Sequence, residues 1–285
     1  MIYLILSIIT SVIVVSYFKL FDIYKVNTFQ AIVVNYFTCA VMGNLMTDTP
    51  GITTNFWVEE WFGYTLIIGF LFISVFYSIG QTAQKFGLSV SMVAAKLSVA
   101  IPVLIAVFFQ NETLGSVKFI GILLSLTAVF FISKSNSTQN QNGLWYFPVF
   151  VFLGSGLIDT ILNLVNKKYI PPFDTNHILS FAFLTAFVLG GAILAYQAIT
   201  KKQQLNIKST LWGVALGIPN YFCMYFLLKT LGAFNEASLV LPINNIGIVL
   251  VTALVGLMIF KEHLSKTNWA GFVIAIVSIL LLSFS

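Results

Sequence analysis

The sequence predicts an all-α, polytopic membrane protein with ten transmembrane helices arranged as two inverted five-helix repeats. Three observations predict this fold class: the composition, the length of the apolar runs and a set of recurring motifs. Of the 285 residues, 59% are apolar and 8% are charged, whereas an ordinary soluble domain has about 25% charged residues. So few charged side chains cannot cover a soluble surface. The composition therefore excludes a soluble enzyme, a disordered chain and a nucleic-acid-binding domain.

Ten apolar runs separated by short polar breaks make up most of the chain. A helix needs about 20 mostly apolar residues to cross a hydrocarbon core of ~30 Å. The runs are rich in Leu, Ile, Phe and Val without the alternation of β-barrel strands, so helices are favoured. Because every backbone amide in lipid needs a partner, we expect uninterrupted helices. The predicted spans are residues 2–19, 28–46, 61–84, 88–109, 116–133, 144–165, 177–199, 210–229, 237–259 and 267–284.

The recurring motifs indicate an internal duplication. Residues 134–143 form a polar, low-complexity stretch near the middle of the chain, which we interpret as a linker between repeats at 1–134 and 144–285. Each repeat has an odd number of spans, so the second enters the membrane upside down, as in many secondary transporters. The matches recur at an offset of 150 residues: Glu112, Leu114 and Gly121 correspond to Glu262, Leu264 and Gly271.

The architecture and short motifs in the last third of the chain resemble the EamA-type transporters of the drug/metabolite transporter superfamily. The motif residues are Gly232, Ala237, Ser238, Glu262, Leu264, Ser265 and Gly271. The first half follows the pattern less closely, because Gly115 stands in place of the motif's Ser. The resemblance implies export or import of a small metabolite through a central cavity between the halves. It specifies no substrate.

The lysines mark the membrane edges and bear on orientation. Nine lysines lie in the loops after odd-numbered spans and four in the loops after even-numbered spans. The positive-inside rule then places both termini outside the cell. The family resemblance implies the reverse, so the orientation stays open. In either case we expect a multi-pass protein of the cell (plasma or inner) membrane.

Lys96 is the one lysine inside a predicted span. It lies eight residues into the fourth span, about 12 Å deep at 1.5 Å per residue. An ionised lysine at a helix centre costs ~2.5–3.5 kcal/mol. The functional interpretation is that Lys96 faces a wet cavity and attracts a substrate carboxylate. The alternatives are snorkelling to the nearer surface or a structural ion pair.

Asp159 is the one acid well inside a span, past the middle of the sixth. It is a candidate to pair with Lys96, to bind a coupling proton or substrate, or simply to approach the far interface. A buried carboxyl group whose charged form is penalised by desolvation suits proton coupling.

Amides, prolines and tyrosines complete the candidate site. Asn244 and Asn245 align with positions beside Lys96 at the 150-residue offset, and either bind substrate or join helices by hydrogen bonds. Prolines inside spans remove a backbone donor and can kink a helix; these are Pro102, Pro219 and Pro242. Asn220 follows one of them and suits a hinge or a cavity wall. Tyr77 and Tyr221 are candidates for an aromatic wall, although membrane-interface anchoring or lipid-facing packing also explains such residues.

These features predict a secondary transporter of a small organic metabolite, such as an amino acid or another carboxylate-bearing compound, working by alternating access. The sequence contains no GxxxxGK[ST] motif for ATP, so a coupling proton or passive exchange remains. We predict no enzyme activity, cofactor or metal site. The alternatives are a membrane-embedded enzyme, which lacks a GxSxG elbow, and a channel-like accessory protein, which lacks a filter loop. The expected partners are the substrate and the lipid bilayer, with the protein a monomer or a homodimer.

Overall fold

The structure is a computed structural model that describes residues 2–46, 59–109, 115–133, 144–169, 175–200, 205–233 and 237–283. Every regular element in these ranges is an α-helix. The helices are α1 (Ile2–Ile23), α2 (Thr28–Leu45), α3 (Glu60–Lys85), α4 (Leu88–Leu97), α5 (Ala100–Phe109), α6 (Ser116–Ser133), α7 (Tyr146–Tyr169), α8 (Thr175–Thr200), α9 (Ile207–Ala233), α10 (Ala237–Met258) and α11 (Lys266–Ser283).

The helices agree with the predicted membrane fold. Six segments of the described chain are long and apolar enough to cross a bilayer: Ile2–Ile23, Glu60–Lys85, Leu88–Ile105, Tyr146–Val165, Ile178–Thr200 and Ile207–Leu227. Three shorter apolar helical segments follow the same pattern at Ser116–Ile132, Ile243–Met258 and Lys266–Leu282. The all-helical, multi-pass architecture is thus confirmed. Ten spans in two inverted repeats remain a prediction.

The fourth predicted span differs from the expected continuous helix, because it is broken into α4 and α5 at residues 98–99. Pro102 is the physical reason. It has no N–H to donate to the carbonyl of Ser98, four residues earlier, and its ring crowds that carbonyl. The Ile101 amide instead donates to the Ser98 carbonyl at 2.9 Å. In contrast, α9 continues through Pro219.

The chain divides into two compact units, each assembled from both sequence halves. Unit 1 comprises Met1–Leu20, Ser78–Thr160 and Cys223–Ser285, and unit 2 comprises Phe21–Tyr77 and Ile161–Phe222. The predicted repeats at 1–134 and 144–285 therefore stay a prediction. The proposed linker at 134–143 and the motif residues Glu112 and Leu114 lie outside the described residues.

The core of unit 1 is built around the pairing of α6 with α11. Glycine allows the close approach at both ends of this pair. A Cβ atom at Gly121 would lie 2.8 Å from the Leu282 side chain, and one at Gly271 would lie 2.7 Å from Ile132. Both glycines and both of their partners are separated by the same 150-residue offset. Such a reciprocal contact is what a two-fold relation between the two helices produces.

Unit 2 contains a similar close approach between α2 and α9. A Cβ atom at Gly213 would lie 2.6 Å from the Ala31 carbonyl oxygen, and one at Gly217 would lie 2.5 Å from Thr38. The Gly213-x-x-x-Gly217 pattern thus serves helix packing. On the other side of α2, the Tyr36 ring stacks on Phe72 and Phe183, and its hydroxyl donates to the Phe72 carbonyl at 2.8 Å.

We expect Gly271→Ala to lower the melting temperature of the detergent-solubilised protein. Its Cβ atom would lie 3.1 Å from the backbone nitrogen of Ile132, and such overpacking costs about 1–3 kcal/mol. Gly191→Ala is the matched control, because nothing lies within 4 Å of its Cβ position. The control should be neutral or stabilising, since alanine favours a helix over glycine. Equal melting temperatures for the two variants would contradict the described α6–α11 contact.

Candidate functional site

A cluster of charged and polar side chains lies at the break between α4 and α5. Lys96 is in the last turn of α4, and Ser98 forms its C-cap. The Ser98 hydroxyl donates to the Ala95 carbonyl at 2.6 Å and lies 3.4 Å from Asp159 Oδ2 on α7. Lys96 and Asp159 also interact electrostatically. The structure therefore brings together the two charged residues that the sequence places inside spans.

A glycine on α7 accounts for the position of Asp159. A Cβ atom at Gly156 would lie 2.5 Å from the Ile101 side chain on α5, so only glycine permits this approach without rearrangement. Asp159 follows three residues later and therefore lies on the same face of α7. The close contact between α7 and α5 thus directs Asp159 to the break.

The helix termini at the break favour the observed charges. Lys96 lies at the carboxyl end of α4, where the helix dipole favours a cation. Asp159 lies beside Ser98, close to the amino end of α5, where the dipole favours an anion. Broken helices with such termini form the substrate and ion sites of many secondary transporters.

Both charged side chains of the cluster retain accessible surface. Asp159 is exposed and Lys96 is half-buried. Within the described part of the chain, no hydrogen bond or ion pair within 4.0 Å holds the Lys96 ammonium. Asp159 lies 13 residues into α7, about 20 Å from its start. Charges at such depth face a water-filled cavity far more often than hydrocarbon.

A second polar group of unit 1 surrounds Cys223 on α9. Its carbonyl accepts a hydrogen bond from Ser7 on α1 at 3.3 Å. Its thiol contacts Ser11 and lies within electrostatic range of Lys96. The sequence did not single out these groups, because serines on α1 are ordinary packing residues until the fold places them near a charge.

Asn244 and Asn245 lie on α10, which packs against α4 and contributes Val249 and Ala253 to the apolar core of unit 1. Asn244 is buried, and its Oδ1 atom has no hydrogen-bond donor among the described residues. Asn245 is half-buried. A buried acceptor without a donor is costly and calls for a water molecule or a ligand. Substrate binding by this pair stays a prediction.

Asn220 lies in unit 2 and is engaged in a helix–helix contact. Its Nδ2 atom donates to Asn35 Oδ1 on α2 at 3.1 Å and to Cys39 Sγ at 3.5 Å. The Cys39 thiol in turn donates to the Gly217 carbonyl at 3.4 Å. Asn220 therefore joins α9 to α2, and its predicted role in substrate binding, as part of a hinge or a cavity wall, stays a prediction.

The two predicted tyrosines also belong to unit 2. Tyr77 is half-buried and makes an edge-to-face contact with Phe29 at 5.7 Å between ring centroids. Tyr221 is buried and contacts the neighbouring Phe222 ring at 5.7 Å. An aromatic wall for substrate stays a prediction for both residues.

The comparisons with known proteins point to a transporter. Residues 146–284 match the model of the EamA-like transporter family. The chain is also 28% identical over 259 residues to an uncharacterised protein of Haemophilus influenzae, covering 88% of this chain and 86% of that protein. A crystal structure of a protein 14% identical in sequence shares the fold with a TM-score of 0.55, covering 98% of this chain and 97% of that one.

The EamA match confirms the family predicted from the motifs and supports a multi-pass membrane protein that transports small molecules. EamA is a transporter family and not an enzyme family. In the matched region, the motif residue Gly271 serves packing and Ser265 serves capping. Ser265 precedes α11 and accepts a hydrogen bond from the Asn268 amide at 3.1 Å. The Asn268 side chain donates to the Ile132 carbonyl on α6 at 3.1 Å.

We expect a double-mutant cycle to show coupling between Asn35 and Asn220. Interhelical hydrogen bonds in membrane proteins contribute on average ~0.6 kcal/mol. Asn35→Ala, Asn220→Ala and the double variant are compared by reversible unfolding in detergent and mixed micelles. The double variant should be less destabilised than the sum of the single variants. Strict additivity would show that the two amides do not interact in the protein.

Proposed function

We propose that the protein is a secondary transporter of a small organic metabolite that carries a carboxylate, such as an amino acid. It works by alternating access, in which the site opens to one side of the membrane at a time. The EamA match supports transport of a small molecule, and the accessible pair of Lys96 and Asp159 carries the more specific proposal.

Lys96 binds the substrate carboxylate in this proposal. Lys96 is half-buried and lies beside a break that leaves backbone groups without helical partners. A hydrogen bond to a charged group contributes about 1.5–3 kcal/mol. The amides of Asn244 and Asn245 contribute neutral hydrogen bonds to the rest of the molecule.

Asp159 carries the coupling proton in this proposal. Its carboxylate contacts Ser98 and interacts with Lys96, so the arrival of a substrate carboxylate at Lys96 changes the electrostatic environment of Asp159. Protonation and substrate binding are then linked through the same pair of charges. The protein acts in the cell membrane as a monomer or a homodimer.

A metabolite screen followed by reconstitution tests the substrate and Lys96. Metabolites exported or imported by cells with and without the gene identify candidates, which are then assayed in liposomes. We expect Lys96→Met to raise KM for the carboxylate substrate by at least about tenfold, the equivalent of 1.4 kcal/mol. Lys25→Met is the control, because Lys25 is 85% exposed in its side chain. If Lys96→Met transports every identified substrate normally, Lys96 does not bind it.

Asp159→Asn tests proton coupling in the same liposomes. The variant keeps the shape of the side chain and removes its titration. We expect transport by the native protein to respond to an imposed pH gradient, and transport by the variant to lose that response. A pH profile that is the same in both proteins would remove Asp159 from the coupling mechanism.

A further inference from the structure

The short helix α4 carries Lys96, and its first amide is bound by a side chain from a distant part of the sequence. The break at residues 98–99 separates α4 from α5, so the position of this ten-residue helix is not fixed by continuation into a longer helix. Its N-cap is Gly87, which offers no side chain to satisfy the first amides. The partner comes from a distant segment. Glu262 lies in the connection between α10 and α11. Both of its carboxylate oxygens accept a hydrogen bond from the Leu88 amide, at 2.9 and 3.1 Å.

Two glycines leave room for this carboxylate. Gly87 has φ of +104°, a conformation that residues with a side chain rarely adopt. A Cβ atom there would lie 2.9 Å from Glu262 Oε2, and a Cβ atom at Gly256 would lie 2.6 Å from the same oxygen. The Glu262 amide also donates to the Gly256 carbonyl at 2.9 Å. Both the main chain and the side chain of Glu262 are thus fixed.

Charge strengthens the contact. The Glu262 side chain is 8% exposed, and the Lys19 ammonium at the end of α1 lies 3.5 Å from its Oε1 atom. The amino end of α4 adds the positive end of a helix dipole. Hydrogen bonds to an ionised acceptor are about twice as strong as neutral ones. Three segments of unit 1 therefore meet at one carboxylate.

We propose that Glu262 is a positioning residue for the candidate site, because it sets the depth and rotation of α4 and thereby of Lys96. The described residues restrain α4 in two other ways. Val93, Ala94 and Leu97 pack in the apolar core of unit 1, which is not directional, and the Ser91 hydroxyl donates a hydrogen bond to the Ile79 carbonyl of α3 at 2.9 Å. The Glu262 contact is the charged one among these, and it binds the first amide of α4, eight residues before Lys96. The role of Glu262 in transport rests on the proposed function, whereas its effect on the position of Lys96 does not.

Thiol labelling tests the position of residue 96 without any substrate. Lys96→Cys is introduced into full-length protein that also carries Cys39→Ala and Cys223→Ala. The rate of modification by a negatively charged, membrane-impermeant methanethiosulfonate is then measured in liposomes. We expect Glu262→Gln to change this rate by about tenfold, because the ion pair and the charge-assisted bonds are lost.

Three further variants make the labelling result decisive. Glu262→Asp keeps the charge and should lie closer to the native rate, while Lys19→Met should move the rate in the same direction as Glu262→Gln. Asp22→Asn is the control, because it removes an exposed carboxylate that pairs with Lys25 at 3.9 Å, and it should change nothing. The proposal is overturned if Glu262→Gln leaves the rate unchanged, if residue 96 is unreactive in every variant, or if the control has the same effect.

A transport cycle then links this position to function. For a carboxylate substrate from the screen, Glu262→Gln should raise KM more than it lowers the maximal rate. It should raise KM little further when combined with Lys96→Met, because both changes remove the same interaction. Effects that multiply would show that Glu262 does not act through Lys96. If no substrate is transported while the labelling rates still differ as expected, the proposed function fails and the positioning role stands.

Discussion

The structure depends on one constraint, which is the cost of leaving a charge or a backbone amide without a partner in hydrocarbon. Most of the chain satisfies it with helices whose amides bond internally. The break at residues 98–99 is the exception inside a predicted span. There the Ile101 amide bonds to Ser98, and Ser98 contacts Asp159. Polar side chains lie at this break because helix termini leave backbone N–H and C=O groups unpaired, whereas an unbroken helix would pair them internally.

Glycines decide which helices come close enough to build these contacts. Gly156 brings α7 against α5, and Asp159 follows on the same face. Gly121 and Gly271 allow the same close approach between α6 and α11, where each glycine contacts a residue of the other helix. Without a hydrophobic driving force between helices in lipid, such small-residue contacts and interhelical hydrogen bonds supply much of the packing energy. The polar cluster and the scaffold therefore rest on the same kind of local contact.

The Glu-x-Leu-Ser motif at residues 262–265 has a physical role in this structure. Glu262 secures the amino end of α4, and Ser265 caps α11. The EamA match covers this region, while the solved structure with a TM-score of 0.55 extends the likeness in fold to nearly the whole chain. Two residues of the motif that resembles the family, Glu262 and Ser265, thus satisfy backbone amides at helix ends in this chain.

The sequence by itself determined the membrane class and the approximate helix positions, because apolar run length and composition act locally along the chain. Its short motifs indicated the resemblance to EamA-type transporters, which the family model matches over residues 146–284. It also singled out Lys96 and Asp159, since a charge within an apolar run is visible without a fold. The break beside Lys96 was partly visible in Pro102, but a proline in a span also fits a continuous helix, as at Pro219. The pairing of Asp159 with Ser98, of Asn220 with Asn35 and of Glu262 with α4 was decided only by tertiary structure. These contacts join residues that are 61 to 185 positions apart in the sequence. Whether such distant residues meet is decided by how the helices pack, and not by the residues near each partner in the sequence.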